Sequence, residues 1–143
     1  MKTHDIMEWY SADELHEASQ NWLVELAFIK DEHLFFEDIF STFTLQLIEA
    51  KGFEEKTEII DAINYSQRLN NNLIKEIKKH DKDLKLLVDG IDQREKEMNY
   101  KREHRKLMAK VDEHLKEYKL LKTQLFSIIK EVFKREKQKK SIA

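Results

Sequence analysis

The sequence predicts an all-α fold, an elongated antiparallel three-helix bundle of up-down-up order with long, coiled-coil-like helices. The chain of 143 residues contains no proline and only two glycines. A β fold needs many turn residues that adopt positive φ or fix φ, so two glycines cannot supply one. Its 38% charged and 41% hydrophobic residues are typical of amphipathic helices. Apolar residues also recur at alternating spacings of four and three. We expect one helical domain over 1–143.

The first helix is predicted over about 12–50, because start and stop signals frame a long apolar seam. Ser11 and Glu14 have the spacing of a capping box, in which each side chain satisfies a free backbone amide. Gly52 suits the residue just beyond a helix end, where positive φ is favoured. The segment before Glu14 contains Ile6, Met7, Trp9 and Tyr10, and we expect it to pack onto the bundle.

The second helix is predicted over about 54–89, starting where Glu54 and Glu55 suit the positive end of a helix dipole. Its apolar seam keeps the same phase on both sides of Asn70–Asn72, which favours one continuous helix. Asparagine has poor helix propensity, so a turn at this triplet is the alternative.

The third helix is predicted over about 93–139, after a second corner at Gly90 and a cap at Asp92. Its seam continues to the region of Val132. Beyond Phe133 the chain is basic and offers almost nothing to bury, so we expect a frayed C-terminal tail.

Polar residues interrupt the three seams at positions that should face the core. If both corners between helices are short, residues of the second and third helices that lie at the same level should have sequence numbers summing to about 182. This geometry brings the polar residues of the seams together in layers. A hydrogen-bonded polar layer of this kind specifies the register of a bundle at a cost in stability. The predicted members are His33, Ser66, Gln67, Asn70, His80, His104, His114 and Tyr118.

A metal or cofactor site is the alternative interpretation of the same residues. His33, Glu37 and His114 are the candidate ligands, since imidazole and carboxylate groups from different helices bind iron, manganese or zinc in helical bundles. However, carboxylate-bridged di-iron bundles carry paired Glu-x-x-His motifs on separate helices, and the nearest match in this chain is the single segment Asp13-Glu14-Leu15-His16. We therefore expect no cofactor and prefer the hydrogen-bonded layer.

The first helix carries more apolar surface than one seam requires. The excess residues proposed as a contact surface are Leu23, Phe28, Phe35 and Ile39. A wide exposed apolar stripe is typical of an interaction site, and a second copy of the chain, giving a homodimer, is the preferred cover. The N-terminal segment and a helical partner protein are the alternatives.

Charge is sorted along the chain although its net value is only −2. Residues 1–62 hold 4 Lys/Arg and 15 Asp/Glu, which gives −11, whereas residues 63–143 hold 22 and 13, which gives +9. The basic clusters are diluted by glutamate and lack interleaved aromatic residues, so nucleic-acid binding is not expected. Complementary packing of the two charge blocks within the bundle is the simplest interpretation.

The sequence also argues against several functional classes. Without cysteine the chain has no disulfide, thiolate site or cysteine nucleophile. It has no glycine-rich phosphate loop or nucleophile elbow, and no apolar run long enough for a membrane span. With no secretory signal either, a cytoplasmic location is expected. We expect a non-enzymatic helical protein that acts through protein contact, as a self-associating protein, an adaptor or a chaperone-like protein.

Overall fold

A computed structural model describes residues 11–88 and 94–142. Across these two ranges the chain is all-helical and contains no strand. The predicted corner at Gly90, the cap at Asp92 and the docking of the N-terminal segment lie outside the described residues. The helices are α1 (Ala12–Thr42), α2 (Thr44–Lys51), α3 (Phe53–Val88) and α4 (Arg94–Ile142).

Where the sequence predicts one helix over about 12–50, the structure has two, so the described residues form four helices instead of three. The break is at Phe43, whose φ of −106° and ψ of 32° are not helical. The Thr44 hydroxyl donates to the Phe40 carbonyl at 2.7 Å, an acceptor that a regular helix reserves for a backbone amide. Such back-bonding by threonine often bends a helix, although the same bond from Thr57 and from Thr123 leaves α3 and α4 unbroken.

Both ends of this first helical stretch have local explanations in the sequence. The Ser11 side chain accepts a hydrogen bond from the Glu14 backbone amide at 3.2 Å and so caps α1. Gly52 ends α2 with φ of +91°, a region that glycine enters without steric cost. Its carbonyl then accepts from the Lys56 amide at 3.0 Å, which starts α3 directly after the corner.

The two later helices are both long and unbroken. The α3 helix passes through Asn70–Asn72 without a turn. The α4 helix has 49 residues and is about 74 Å long. It extends to Ile142 where the sequence predicts a frayed tail, and the Lys139 ammonium near its end pairs with Glu49 of α2. This contact gives the basic tail a partner that the apolar pattern does not reveal.

Cross-helix contacts give the direction of each helix relative to the others. Residue numbers in α3 fall as those in α1 rise, so the two helices run in opposite directions; the pairs are His16–Asp81, Leu26–Asn70 and His33–Ser66. Residue numbers in α4 rise with those in α1, so these two run in the same direction; the pairs are Trp22–His104, His33–Tyr118 and Phe35–Phe126.

Most of the apolar core is one continuous cluster drawn from all four helices. Its fully buried members include Leu26, Phe36 and Leu47. A smaller cluster of Leu15, Leu84 and Tyr100 lies separately from it. The main cluster is interrupted by buried polar residues.

Candidate functional site

A buried polar layer connects α1, α3 and α4 through four side chains that we call the Asn70 layer: His33, Ser66, Asn70 and His114. The Asn70 side chain is 0% exposed. Its amide nitrogen donates to the Leu26 carbonyl at 2.9 Å, and its Oδ1 lies 3.0 Å from His114 Nε2. Since Oδ1 can only accept, His114 Nε2 carries the proton and donates. Asn70 therefore joins three helices with both ends of its amide satisfied.

His33 completes the layer through Ser66, whose Oγ lies 2.8 Å from His33 Nε2. The His33 ring also meets Tyr118 edge-on, with centroids 5.1 Å apart. Burial is the largest cause that lowers the pKa of His33, the nearby His114 also lowers it, and Glu32 partly opposes both, which leaves the pKa at about 4. Burial likewise lowers the pKa of His114. The layer is therefore neutral at physiological pH.

The layer's hydrogen bonds bear on the two chemistries that its residue types suggest. His33 Nε2 and His114 Nε2 bond to Ser66 and Asn70, and exposed Glu37 accepts instead from half-buried Gln67 at 2.9 Å. Across the described ranges, no three His, Asp or Glu side chains are grouped to hold a metal ion. Ser66 and His33 have the separation of a nucleophile and its base, but both are buried, so a substrate cannot reach the hydroxyl in this conformation.

A second buried polar region lies toward the start of α1 and consists of four aromatic rings, which we call the ring cluster: Trp22, His80, Tyr100 and His104. His80 stacks on Tyr100 with centroids 3.9 Å apart and planes 8° apart. Trp22 stacks on His104 at 4.7 Å. The two histidines are linked by a hydrogen bond between His80 Nε2 and His104 Nδ1 at 2.9 Å. The rings therefore form two stacked pairs that a hydrogen bond joins across α1, α3 and α4.

Burial determines how the ring cluster titrates. Burial and, to a smaller extent, the neighbouring His80 together lower the pKa of His104 to about 4. Burial also lowers the pKa of His80, although Asp83 and Asp81 act in the opposite direction. For Tyr100, burial raises the pKa of the hydroxyl, and Asp81 raises it further. Both histidines are therefore neutral near pH 7.

The polar groups of this region are less completely satisfied than those of the Asn70 layer. Asp81 has two partners, since His16 Nδ1 lies 2.7 Å from one oxygen and the Gln20 amide donates to the other at 3.2 Å. In contrast, the buried hydroxyls of Ser19 and Tyr100 have no well-formed hydrogen bond within the described part of the chain, although Ser19 is near enough to lower the pKa of Tyr100 slightly.

A surface groove of about 720 Å³ opens beside the ring cluster, between α3 and α4. His80 and Tyr100 contribute to its lining. Three of the four lysines that line it pair with carboxylates of the same lining; the ion pairs are Lys79–Asp83, Lys106–Glu103 and Lys110–Glu76. Because these charges compensate each other, the groove presents no uncompensated cationic cluster that favours an anion.

The four residues proposed as a contact surface do not share one environment. Leu23 and Ile39 are half-buried and pack against the main core cluster. Phe28 and Phe35 are 67% and 48% exposed. Phe35 contacts the ring of Phe126 on α4 at 6.4 Å, which places exposed aromatic surface of both helices side by side. The exposed face therefore belongs to α1 and α4 together.

The structure places most of the predicted polar core residues in the interior and adds others that the sequence reasoning missed. Gln67 is half-buried at the edge, and the other seven are buried.

The residues that the sequence analysis missed are Ser19, Trp22 as a stacking partner, and Asp81 with its contact to His16. Asp81 adjoins a seam position without occupying one, so apolar periodicity could not select it. The position of His16 along α1 could have identified Asp81. In antiparallel helices, facing residues have numbers with a constant sum, and 16 and 81 sum to nearly the same value as 33 and 66.

Comparisons with known proteins add no evidence about function to the geometry of the described residues. None of the described helices is apolar and long enough to cross a membrane. No protein-family model, curated protein or solved structure matches the chain.

Proposed function

We propose that this chain is a non-enzymatic three-helix bundle of up-down-up order that acts through protein contact at the exposed aromatic face of α1 and α4. In this view α1 and α2 together form the first rod of the bundle, bent at Phe43. Self-association into a homodimer is the form of contact that we favour.

The observation that carries the proposal is the exposure of large aromatic side chains on one face. Phe28 and Phe35 on α1 are joined by Phe126 and Phe133 on α4, which are 36% and 42% exposed. Exposed apolar residues scattered singly need no explanation, whereas a contiguous apolar patch marks an interaction site. Aromatic side chains also contribute the most to binding where they are buried at an interface.

The interior supports a structural role for the buried polar groups. In the Asn70 layer they bond to one another across three helices, as a device that fixes helix register would require. Such a scaffold holds the aromatic face in a defined geometry, which reduces the entropic cost of binding.

A photo-crosslinking experiment tests the proposal in the native host. A photoreactive amino acid replaces Phe28 in one variant and Tyr65, which is also well exposed but lies on α3, in the control. We expect a discrete protein adduct from position 28 and none from position 65. Failure of position 28 to yield any adduct above the control would contradict the proposal, whatever the identity of the partner.

Metal or cofactor binding remains the alternative proposal from a different class. It requires His33, Glu37 and His114 to leave their present hydrogen-bond partners and converge. Elemental analysis of untagged protein distinguishes it, because stoichiometric iron, manganese or zinc supports a metal site.

A further inference from the structure

Two exposed strips of opposite charge flank the line where α1 meets α4. The acidic strip on α1 consists of Val24, Phe28, Asp31 and Phe35. The basic strip on α4 consists of Phe126, Lys130, Phe133 and Lys137. All eight residues are exposed, and the Phe35–Phe126 contact joins the strips within one molecule.

The charges in these strips have no ion-pair partners of their own. Asp31 and Lys130 form no ion pair with any other residue that the structure describes, unlike the neighbouring Glu32 and Lys122, which bind each other. An exposed charge set among exposed aromatic rings is suited to an opposite charge on an approaching surface. The acidic strip therefore needs a basic, aromatic partner, and the basic strip needs an acidic, aromatic one.

We propose that the two strips bind each other between two copies of this chain, forming a two-fold dimer in which α1 of one copy lies antiparallel to α4 of the other. This inference rests on the proposed contact function and specifies its partner, orientation and register.

The spacing of the residues supports one register. Phe28, Asp31 and Phe35 follow one another at intervals of three and four. Read backwards, Phe133, Lys130 and Phe126 follow at the same intervals. An antiparallel pairing thus aligns both aromatic pairs and the charge pair at once. This is the alternation of ring and charge that fixes register in helix pairs.

The internal geometry of the bundle is consistent with two-fold symmetry in this register. Exposed and ring contacts across α1 and α4 near Phe35 differ by 90 or 91 in sequence number within one copy, as in Glu32–Lys122 and Phe35–Phe126, whereas the buried pair His33–Tyr118 differs by 85. The three proposed pairs between copies each sum to 161; they are Phe28–Phe133, Asp31–Lys130 and Phe35–Phe126. If α1 and α4 are offset by 90 or 91 residues, one two-fold axis perpendicular to the helices, at the level of Phe35, relates all three pairs. A closed dimer requires such an axis.

The same geometry excludes Asp31 and Lys130 as partners within one copy or in a parallel dimer. Asp31 is level with residue 121 of α4, so Lys130 lies nine residues further along, about 13 Å away. An effect that depends on both residues therefore reports the antiparallel register.

Charge reversal followed by sedimentation tests the inference. The wild-type chain of 17.3 kDa should sediment as a dimer. Asp31→Lys places lysine against Lys130 twice in a dimer, and Lys130→Asp places aspartate against Asp31 twice, so each variant should dimerise at least ten-fold more weakly. Mixing the two variants pairs opposite charges at both sites and should restore a dimer, as should the double variant.

Matched controls and a second readout separate the possible outcomes. Asp61→Lys and Lys75→Asp make the same charge changes on exposed positions of α3, and both should leave the dimer intact. Since the chain has no cysteine, Asp31→Cys mixed with Lys130→Cys should form one disulfide-linked species on mild oxidation.

A monomeric wild type, or a mixture that stays monomeric, would overturn the inference, as would single variants that dimerise like the controls. The crosslinking result at position 28 stands apart from these outcomes. If position 28 gives an adduct whose mass is not that of a dimer, and the wild-type chain is a monomer, the proposed contact function is retained. The second copy is then excluded as the partner.

Discussion

The Asn70 layer and the ring cluster place histidines in the same kind of buried position and satisfy them in different ways. In the Asn70 layer an amide supplies both a donor and an acceptor, and each of the four polar side chains has a bonded partner. In the ring cluster the histidines bond to each other and stack between Tyr100 and Trp22, while nearby hydroxyls lack good hydrogen bonds.

From this difference we expect a buried polar residue to stabilise this fold only where its hydrogen bonds are complete. A hydrogen bond contributes about 1 kcal/mol net, whereas an unsatisfied buried group costs about 1–3 kcal/mol. Removing a member of the Asn70 layer leaves its buried hydrogen-bond partner unsatisfied, which costs that free energy. Removing an unbonded hydroxyl leaves no partner unsatisfied. Similar substitutions should therefore cost more stability in the Asn70 layer than beside the ring cluster.

The largest expected effect is acid destabilisation, which both regions share. His33 and His104 have folded-state pKa values of about 4, below the value of 6.5 expected in the unfolded chain. The unfolded state therefore binds more protons between these values. Stability is complete above about pH 6.5 and falls as the pH drops toward 4. At pH 5 each histidine should cost about 2 kcal/mol, or roughly 4 kcal/mol together.

Urea unfolding at pH 7.5 and pH 5 measures this loss. The comparison is sharpened by His33→Leu and His104→Leu, each of which should remove part of the pH dependence, while His80 and His114, whose pKa values burial also lowers, keep the remainder. Equal stability of the wild type at both pH values would show that the histidines are not held neutral in the interior.

Asn70→Ala should have the next largest effect. It removes the acceptor of His114 and leaves a cavity at the meeting point of three helices, so we expect a loss of about 3 kcal/mol. Ser19→Ala is the matched change near the ring cluster and should cost less than about 1 kcal/mol, because the buried Ser19 hydroxyl has no well-formed bond to lose. Similar losses for both, measured by urea unfolding at pH 7.5, would remove the distinction between the two regions.

The smallest expected effect is that of Tyr100→Phe. Its buried hydroxyl lacks a well-formed hydrogen bond, so stability should stay within about 1 kcal/mol of wild type or increase. Thermal unfolding at pH 7.5 is sufficient to measure this. Tyr118→Phe is the natural companion, since Tyr118 borders the Asn70 layer and also has an unbonded hydroxyl. A large loss in either variant would indicate a partner for that hydroxyl in solution.

Apolar periodicity predicts the helical class well because it depends on a repeat that every turn reinforces. It also selected Asn70 and His114 as interior residues, since both replace an apolar residue in an otherwise regular seam. It could not detect the break at Phe43, where a threonine hydroxyl competes for one carbonyl without disturbing the apolar phase. The threonines on either side of Phe43 are a weak signal, because Thr57 and Thr123 make the same bond inside unbroken helices.

Apolar periodicity also could not predict which residues of the proposed contact surface are exposed. A helical wheel assigns Leu23 and Ile39 to the excess apolar stripe of α1, because it does not show how far neighbouring helices reach around the rod. The structure instead packs these two residues against the core and leaves Phe28 and Phe35 exposed. Periodicity identifies the amount of apolar surface, whereas the neighbours determine which part of it stays free.

The hydrogen bond between His80 and His104 has a consequence for how the protein takes up protons. With both rings neutral, a single hydrogen lies between His80 Nε2 and His104 Nδ1, so one ring must be the donor and the other the acceptor. An added proton is shared by the pair, and the resulting charge opposes a second protonation. The two rings therefore titrate as one unit in two macroscopic steps, and the tautomer of each depends on that of the other.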